Sequence, residues 1–319
     1  MPVIAADSGG IARAAEVLRR GGVVAFPTET VYGLGALAFT AEAVARIFEI
    51  KRRPHFDPLI VHVLDDEMLL RVVSSMPPAA RALSERFWPG PLTLVLRKRA
   101  GVPDLVTAGL PTVAVRMPSH PVARALLGAA GAPLAAPSAN PFGHLSPTRA
   151  EHVAGGIGGQ VDLILDGGRT EHGLESTIVA IDGRPELLRA GAVEAEAIES
   201  VVGPLDAGRV AGYRAPGMLP RHYAPATPLR LVEPAGVPMP ERARAGALAL
   251  CERFEGYAAS RQLSVTGDLR EAAARFFETL HELDALGLER IDVQPIAERG
   301  LGRAMMDRLR RAAPGDREL

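Results

Sequence analysis

The motifs VVAFPTETVYGLG at positions 23–35 and KRRPHFDPLIVHV at positions 51–63 decide the fold of this chain. The first motif begins as a short buried strand that stops at Pro27, because proline has no N–H to donate to a neighbouring strand. Segment 41–51, which leads into the second motif, carries apolar residues at helical spacing, and an apolar strand over 59–64 begins in the second motif. A strand, a helix and a strand in this order predict an α/β fold.

Polar side chains stand at the ends of these predicted elements. Thr28 and Thr30 follow the first strand, and the glycines after them let the backbone turn closely. Lys51 and Arg53 end the helix, and the second strand carries His62. Hydroxyls, cations and a histidine within one unit indicate a site for a small anion. Each feature also has a structural interpretation, since such turns, basic helix ends and core histidines are common.

The lysine at position 51 favours the functional interpretation of the basic run. The chain has 36 lysine and arginine residues, and only Lys51 and Lys98 are lysine. Because arginine is the usual cation here, a lysine beside Arg52 and Arg53 indicates a need for a compact charge, such as one that contacts a phosphate.

Composition limits the class of protein. A chain of 319 residues with 47% hydrophobic residues predicts two domains, and its net charge of −1 provides no basic field that would attract nucleic acid. The single cysteine, Cys251, excludes an internal disulfide and fits a reducing cytosol, and its apolar surroundings predict a core position. No apolar run approaches the roughly 18–20 residues of a membrane span, and no signal peptide is expected.

The order of strands and helices predicts two domains joined by a linker. Residues 1–203 mix strands and helices without strict alternation, which predicts a twisted mixed sheet with packed helices. Residues 204–228 are rich in proline and glycine and contain PGMLPRHYAP, so this linker is expected to be functional. Residues 229–319 alternate strands with helices, which predicts a smaller Rossmann-like α/β domain. One of these strands is expected over 262–265, and one of the helices is expected to start at Asp268. It has no glycine-rich nucleotide motif, which favours a structural or lid-carrying role.

Further segments place polar groups beside predicted strands. The segment TVAVRMP puts Thr112 and Arg116 on one face of a strand, where they can hold a carboxylate or a phosphate, although a solvated edge arginine is the structural alternative. Thr148 is expected to cap the next helix. The segments APSANPFGHLSPT, GLESTI and LLRAGAV add Ser138, Asn140, Ser146, Glu175, Ser176 and Arg189. No spacing typical of a zinc site or a serine hydrolase is present.

Together these motifs resemble the YrdC/Sua5 family of threonylcarbamoyl-AMP synthases. The resemblance covers about residues 10–193 and rests on FPTETVYGLG, KRRP, PLIVHV, PGPLTLVL, TVAVRMP, APSANPFGHLSPT, GLESTIV and LLRAGAV. The linker motif RHYAP and the region after it resemble the Sua5 branch, which has a C-terminal Sua5 domain. The resemblance implies a YrdC-like fold for the first domain.

The resemblance also implies a reaction and its residues. L-threonine, bicarbonate and ATP would give L-threonylcarbamoyl-AMP and pyrophosphate, for the t6A modification of tRNA. By similarity, the contacts to L-threonine would be Thr28, Thr30, His62, Arg116 and Ser176. The contacts to ATP would be Lys51, Arg53, Asp57, Thr112, Ser138, Asn140, Ser146, Arg189 and Tyr223. Lys51 and Arg53 would serve the catalytic step at the phosphates, and Tyr223 would close over the nucleotide as part of a lid.

Cofactors and partners follow from the same resemblance. We expect Mg²⁺ to enter with ATP and not in a metal site of the protein. We expect a cytoplasmic enzyme without membrane contact, whose product passes to the threonylcarbamoyl transferase machinery and to tRNA.

Alternatives from other functional classes are weaker. A non-catalytic RNA-binding protein would show salt-sensitive binding without ATP, and the near-neutral charge and 4% aromatic content argue against it. Carbamoyl transfer, as in hydrogenase-maturation proteins, is the enzymatic alternative, but those proteins carry acylphosphatase and zinc-finger-like regions, and this chain has one cysteine. A pure scaffold would leave the polar groups at the strand ends unexplained.

Overall fold

The computed structural model describes residues 2–181, 183–207, 215–217 and 222–313. The strands in these ranges are β1 (Val3–Ala5), β2 (Val24–Phe26), β3 (Gly33–Leu37), β4 (Ile60–His62), β5 (Leu92–Arg97), β6 (Thr112–Arg116), β7 (Leu134–Ala135), β8 (Leu163–Asp166), β9 (Thr177–Ala180), β10 (Glu186–Arg189), β11 (Asp206–Ala207), β12 (Leu229–Leu231), β13 (Ala245–Ala249), β14 (Ala259–Gln262) and β15 (Arg290–Val293). The α-helices are α1 (Ser8–Arg19), α2 (Ala41–Lys51), α3 (Asp66–Val72), α4 (Pro78–Phe87), α5 (Asp104–Thr107), α6 (Pro121–Ala130), α7 (Ala150–Gly156), α8 (Ala195–Val202), α9 (Met239–Arg242), α10 (Leu269–Asp284) and α11 (Leu301–Ala312). Within the described ranges, no helix has the length and apolar character needed to cross a membrane.

The first sheet has 11 strands in the order β1-β8-β2-β3-β7-β4-β6-β5-β9-β10-β11. It is mixed, because β4 and β6 are parallel whereas β3 is antiparallel to both β2 and β7. Successive residues of a strand point to opposite faces. Val24 and Phe26 of β2 accordingly lie in one core cluster with α1 and α6, while Ala25 between them lies in a second cluster with α2 and α4, so helices cover both faces. The expected mixed sheet with packed helices is confirmed.

The second sheet has four parallel strands in the order β12-β15-β13-β14. Helix α10 begins after Asp268, whose side chain accepts hydrogen bonds from two backbone N–H groups of the first turn. Its buried face includes Phe276 and Leu280, which lie in the core of this domain. Parallel strands, with α9 and α10 in two of the three connections, confirm the smaller Rossmann-like α/β domain.

The glycines of the first motif lie in a strand and not in the tight turn that was expected. Gly33 and Gly35 belong to β3, which pairs with β2. A Cβ atom at Gly35 would come within 2.6 Å of the ring of Phe26. Glycine is therefore needed here for close approach to an aromatic ring, and not for a turn.

Three other local expectations were wrong. Cys251 is exposed, because the chain has left the sheet after Ala249. The strand expected over 262–265 lies earlier, as β14. Thr148 does not cap α7, because Arg149 occupies the N-cap position and the backbone N–H of Thr148 donates to His152 Nδ1.

The predicted linker, residues 204–228, is described only in part, since 208–214 and 218–221 lie outside the described residues. Strand β11 at its start pairs in parallel with β10 and so extends the first sheet. The division of the chain into 1–203, 204–228 and 229–319 stays a prediction.

The two domains share an apolar interface. The core of the second domain extends to Val31, Leu145 and Leu174 of the first domain. The backbones also approach closely, because a Cβ atom at Gly173 would lie 2.4 Å from the carbonyl oxygen of Ala274 in α10. Such close apolar packing holds the second domain against the first.

Two histidines stack across this interface. The ring centroids of His152 in α7 and His281 in α10 lie 3.9 Å apart, and His281 Nε2 is 3.1 Å from the carbonyl oxygen of Ser146. Burial, and then the neighbouring imidazole, lowers the pKa of His152 to about 4, and burial lowers the pKa of His281 as well. Both rings are therefore neutral at pH 7 in the folded protein.

We expect acid to weaken the folded protein through this pair. The pKa of His152 is about 4 in the folded protein, so the unfolded chain, with a value of about 6.5, takes up the proton first as the pH falls. The stabilisation of the folded protein by the neutral His152 ring is therefore complete above about pH 6.5 and is lost as the pH falls toward 4. The loss should be roughly 1 kcal/mol, because solvent at the edge of the pair screens part of the effect.

The free energy of unfolding in urea at about pH 7 and about pH 5 measures this effect. The variant His152→Asn keeps an acceptor for the N–H of Thr148 but does not titrate in this range. It should lose less stability on acidification than the parent. Equal losses in the two proteins would show that the stacked pair is not the source of the pH dependence.

Candidate functional site

A cavity of about 540 Å³, including its open mouth, lies between the loop after β2 and the linker. Polar residues expected to contact substrates line it, namely Thr28, Thr30, Arg53, His62, Arg116, Ser138, Ser176, Arg189 and Tyr223. Glu175, Pro216, Gly217 and His222 are also among its lining residues. The candidate site is thus formed by segments that are distant in the sequence.

The loop after β2 is folded around one hydroxyl group. Thr28 Oγ1 accepts hydrogen bonds from the backbone N–H groups of Thr30 and Val31 at 3.2 and 3.3 Å. It donates to the carbonyl oxygen of Val31 at 2.7 Å and lies 2.8 Å from Thr30 Oγ1. Such local hydroxyl–backbone bonds fix the loop conformation. They leave the hydroxyl of Thr30 in contact with Arg116.

Arg116, at the end of β6, brings a buried positive charge to the cavity. Its Nη1 donates to Thr30 Oγ1 at 2.9 Å, and its Nη2 lies 3.1 Å from Glu29 Oε2. Both members of this ion pair are buried. Because the pair is almost free of solvent, removing one partner would leave an unpaired buried charge.

His62 lies beside Arg116 in the register of β4 and β6. Burial, and then the charge of Arg116, lowers the pKa of His62 to about 3. The imidazole is therefore neutral at pH 7 and can accept a hydrogen bond. Its Nδ1 makes no hydrogen bond to any other described residue and is available to a ligand.

Arg53 follows Arg52, the C-cap residue of α2, whose backbone is in the left-handed region with a φ of 52°. Its Nη2 lies 2.9 Å from Asp57 Oδ2 and donates to the carbonyl oxygen of Pro58 at 2.7 Å. The guanidinium group also lies 5.9 Å from the ring centre of Phe142. These contacts hold a buried cation at the cavity wall.

Lys51 is buried at the end of α2. Its ammonium group donates to the carbonyl oxygen of Ser138 at 2.7 Å and to that of Asn140. Burial, and then the nearby charge of Arg53, lowers the pKa of Lys51 well below its usual range. An ammonium group in such a place would be stabilised by an anion, so the position suits contact with a phosphate.

Ser176 and Arg189 are joined by several hydrogen bonds. Arg189 Nε and Nη2 donate to the carbonyl oxygen of Ser176 at 3.1 and 3.0 Å, and Nη2 also donates to Ser176 Oγ at 3.1 Å. The close approach depends on Gly191, where a Cβ atom would lie 2.4 Å from the carbonyl oxygen of Glu175. The GLESTI and LLRAGAV segments therefore act together at the cavity.

Parts of the linker complete the cavity wall. Tyr223 has a φ of 62°, which is unusual for an aromatic residue and costs about 1–3 kcal/mol. Its ring lies 4.1 Å from that of His222, and Ala224 N donates to the carbonyl oxygen of Gly143 at 2.8 Å. A Cβ atom at Gly217 would lie 2.3 Å from Tyr223 Oη, so the linker is closely packed on itself here.

Other residues expected at the site do not line the cavity. Lys51, Asp57 and Ser146 lie behind it and contact lining residues. The amide Nδ2 of Asn140 donates to the carbonyl oxygens of Pro141 and His144, each at 2.9 Å. Thr112 lies at the opposite end of β6 from Arg116, beside Arg97 of β5. The shared strand face does not bring Thr112 to the cavity.

Several residues contribute to the site although the sequence patterns predict no role for them. Glu29 and Glu175 lie inside the motifs, but a motif does not show which cation each carboxylate pairs with. Arg308 is the clearest omission, because it reaches Glu175 from the second domain. The sequence feature that indicates its burial is helical spacing, because Arg308 is four residues from both Ala304 and Ala312, which lie on the buried face of α11.

Comparison with protein families accounts for nearly the whole chain. Residues 16–191 match the Sua5/YciO/YrdC family model, which is described as "Telomere recombination". Residues 193–314 match a model described as "Threonylcarbamoyl-AMP synthase, C-terminal domain".

Relatives of similar length share both domains. The chain is 43% identical to the threonylcarbamoyl-AMP synthase of Pyrococcus abyssi, over 94% of this chain and 93% of the relative. It is 42% identical to that of Bacillus subtilis, over 96% and 93%. The crystal structure of P. abyssi Sua5 complexed with L-threonine superposes with a TM-score of 0.88 at 41% identity, over 95% of this chain and 94% of that chain. The chain belongs to the YrdC/Sua5 family, in the branch that carries the C-terminal Sua5 domain.

Proposed function

We propose that this chain is a threonylcarbamoyl-AMP synthase, which converts L-threonine, bicarbonate and ATP to L-threonylcarbamoyl-AMP and pyrophosphate. The observation that carries the proposal is one cavity lined by three guanidinium groups, of Arg53, Arg116 and Arg189. Three guanidinium groups can offset the negative charges of two anionic substrates. Relatives that share both domains bear the name of this enzyme, which supports the assignment.

Threonine is proposed to bind beside Arg116. The Nε and Nη2 atoms of this arginine make no hydrogen bond to the described part of the chain, although Nη2 is paired with Glu29 by charge. A guanidinium group can bind a carboxylate through two N–H groups. The amine and hydroxyl of threonine are proposed to bind among the polar groups of Thr28, Thr30, His62 and Ser176.

ATP is proposed to bind along the cations from α2 to β10. Lys51 and Arg53 would contact the phosphates, and Arg189 would add a third charge. Phosphate groups are stabilised by such convergent cations. The remaining proposed contacts are Ser138 and Tyr223, which line the cavity, and Asp57, Asn140 and Ser146, which lie behind its wall.

The reaction needs no nucleophile from the protein. The nitrogen of threonine, as the neutral amine, forms a bond to carbon and gives a carbamate. With CO₂, one C=O bond becomes the carboxylate C–O⁻ and one proton passes to solvent. With bicarbonate, the C–OH bond breaks and the hydroxide leaves with the amine proton as water. A carbamate oxygen then forms a bond to the α-phosphorus of ATP, and the bond from that phosphorus to the bridging oxygen breaks as pyrophosphate leaves. The protein aligns the two anions and reduces their repulsion, which lowers the barrier to transfer.

Mg²⁺ is proposed to enter as part of the MgATP substrate, where it balances phosphate charge. Among the described residues, no group of three or more histidine, cysteine, aspartate or glutamate side chains is placed to bind a metal ion. The linker is proposed to act as a lid, since Tyr223 and Gly217 line the cavity from it. A lid would protect the labile carbamate and the mixed anhydride from water.

The product is proposed to serve t6A formation in tRNA through a separate threonylcarbamoyl transferase. A cytoplasmic location stays a prediction that follows from this role.

Pyrophosphate release from purified protein tests the proposal. With ATP and Mg²⁺ present, release should require L-threonine and bicarbonate together and should fall to background when either is omitted. Release without threonine would contradict the proposed reaction. No release, together with RNA binding that weakens steeply with salt, would instead support an RNA-binding protein.

A further inference from the structure

A buried arginine of the second domain reaches the cavity of the first. Arg308 in α11 is fully buried. Its Nε donates to Glu175 Oε2 at 3.1 Å, and its Nη2 lies 3.0 Å from the same oxygen. Its Nη1 donates to the carbonyl oxygen of Ala190, and the guanidinium carbon lies 5.1 Å from the ring centre of Tyr223. A charged side chain is almost never fully buried unless it is paired, as Arg308 is with Glu175.

The partner of Arg308 is the carboxylate of Glu175, a residue that lines the cavity. Its Oε1 accepts a hydrogen bond from the hydroxyl of Ser146. An unneutralised carboxylate at this place would repel a phosphate or a carboxylate bound nearby. In the described part of the chain, the ion pair of Glu175 is formed with Arg308.

The same helix also holds the linker. The backbone N–H of His222 donates to the carbonyl oxygen of Arg311 at 3.1 Å, three residues after Arg308. Arg308 lies over the ring of Tyr223, the next residue of the linker. Helix α11 therefore contacts both the carboxylate at the cavity and the segment that covers the cavity.

We infer that Arg308 is a positioning residue for ATP, supplied by the second domain: it neutralises Glu175 and fixes Tyr223, so that the cavity accepts anions only when the second domain is docked. This inference rests on the proposed function for the identity of the ligand. It gives the second domain a role in the site itself, beyond support of the first domain.

Three variants separate charge neutralisation from domain packing. Arg308→Met removes the charge but keeps most of the side-chain length. Arg308→Met combined with Glu175→Gln removes both charges, and glutamine can still accept the hydrogen bond from Ser146. Arg303→Met is the matched control, because Arg303 is on the same helix and pairs with Glu196 of the first domain, but is exposed.

The measurements are the dissociation constant of a non-hydrolysable MgATP analogue by calorimetry, the KM for ATP in pyrophosphate release, and the thermal midpoint. Arg308→Met should weaken analogue binding and raise the KM for ATP by about tenfold or more, because an unpaired carboxylate then lies beside the proposed phosphate site. The double variant should recover most of the lost affinity. Arg303→Met should bind the analogue as the parent does.

Two results would overturn the inference. One is unchanged analogue binding in folded Arg308→Met. The other is a loss of affinity that the double variant does not recover, since a purely structural role for Arg308 would not depend on the charge of Glu175. The proposed function fails separately, if the parent protein binds the analogue but releases no pyrophosphate with threonine and bicarbonate. If the parent binds no analogue, both proposals fail.

Discussion

Arg116→Met should reduce threonine-dependent pyrophosphate release by about 100-fold or more, because the variant lacks the guanidinium group proposed to bind the threonine carboxylate. It should also unfold more easily. Glu29 would remain as a buried carboxylate without its partner, and breaking such a pair costs about 3–5 kcal/mol. The KM for threonine, the rate at saturating threonine and the free energy of unfolding measure the two effects.

Arg116→Lys separates binding from folding. Lysine keeps a positive charge for Glu29, so most of the stability should return. It lacks the two parallel N–H groups that a guanidinium presents to a carboxylate, so the KM for threonine should remain high. If Arg116→Met stays folded and shows the KM of the parent for threonine, the proposed threonine site is wrong.

Lys51→Met should lower the rate of pyrophosphate release by about 100-fold with a smaller effect on stability. Stability should fall by only about 1–3 kcal/mol, because the lost partners are the carbonyl oxygens of Ser138 and Asn140 and no charge is left unpaired. The rate at saturating ATP and the free energy of unfolding test this expectation.

Lys51→Arg is the informative companion variant. Arginine is larger than lysine, and the buried space at position 51 is already filled by contacts to two carbonyl groups. We therefore expect it not to restore activity. Lys98→Arg is the control, because Lys98 pairs with Asp104 and Thr107 away from the cavity. Full activity of Lys51→Arg would show that only a positive charge is needed there.

Much of the candidate site could be predicted from the sequence, since its groups lie in short motifs at strand ends. Thr28, Thr30, His62 and Arg116 were expected from such motifs, and the structure places them along one cavity. The local reason is that strand alternation and turn residues determine where a side chain projects. Thr112 shows the limit of this argument, because a shared strand face does not ensure that both ends of the strand reach the same cavity.

The expectation for the first motif failed for a different reason. Glycines permit turns, but they also permit close approach of a strand to a ring, and only the position of Phe26 distinguishes the two cases. Likewise, Cys251 ends an apolar run, but the chain leaves the sheet two residues before it. Hydrophobicity along the chain does not show where the sheet ends.

Local sequence patterns were enough to predict the mixed α/β domain, the smaller Rossmann-like α/β domain, and the segments that carry the polar groups. Periodicity and turn chemistry are local properties, so they can be seen in neighbouring residues. Which charges are paired depends on the tertiary structure. Arg308 and Glu175 are 133 positions apart and meet only because the second domain packs on the first. Their contact depends on the relative position of two domains, which no local pattern of residues determines.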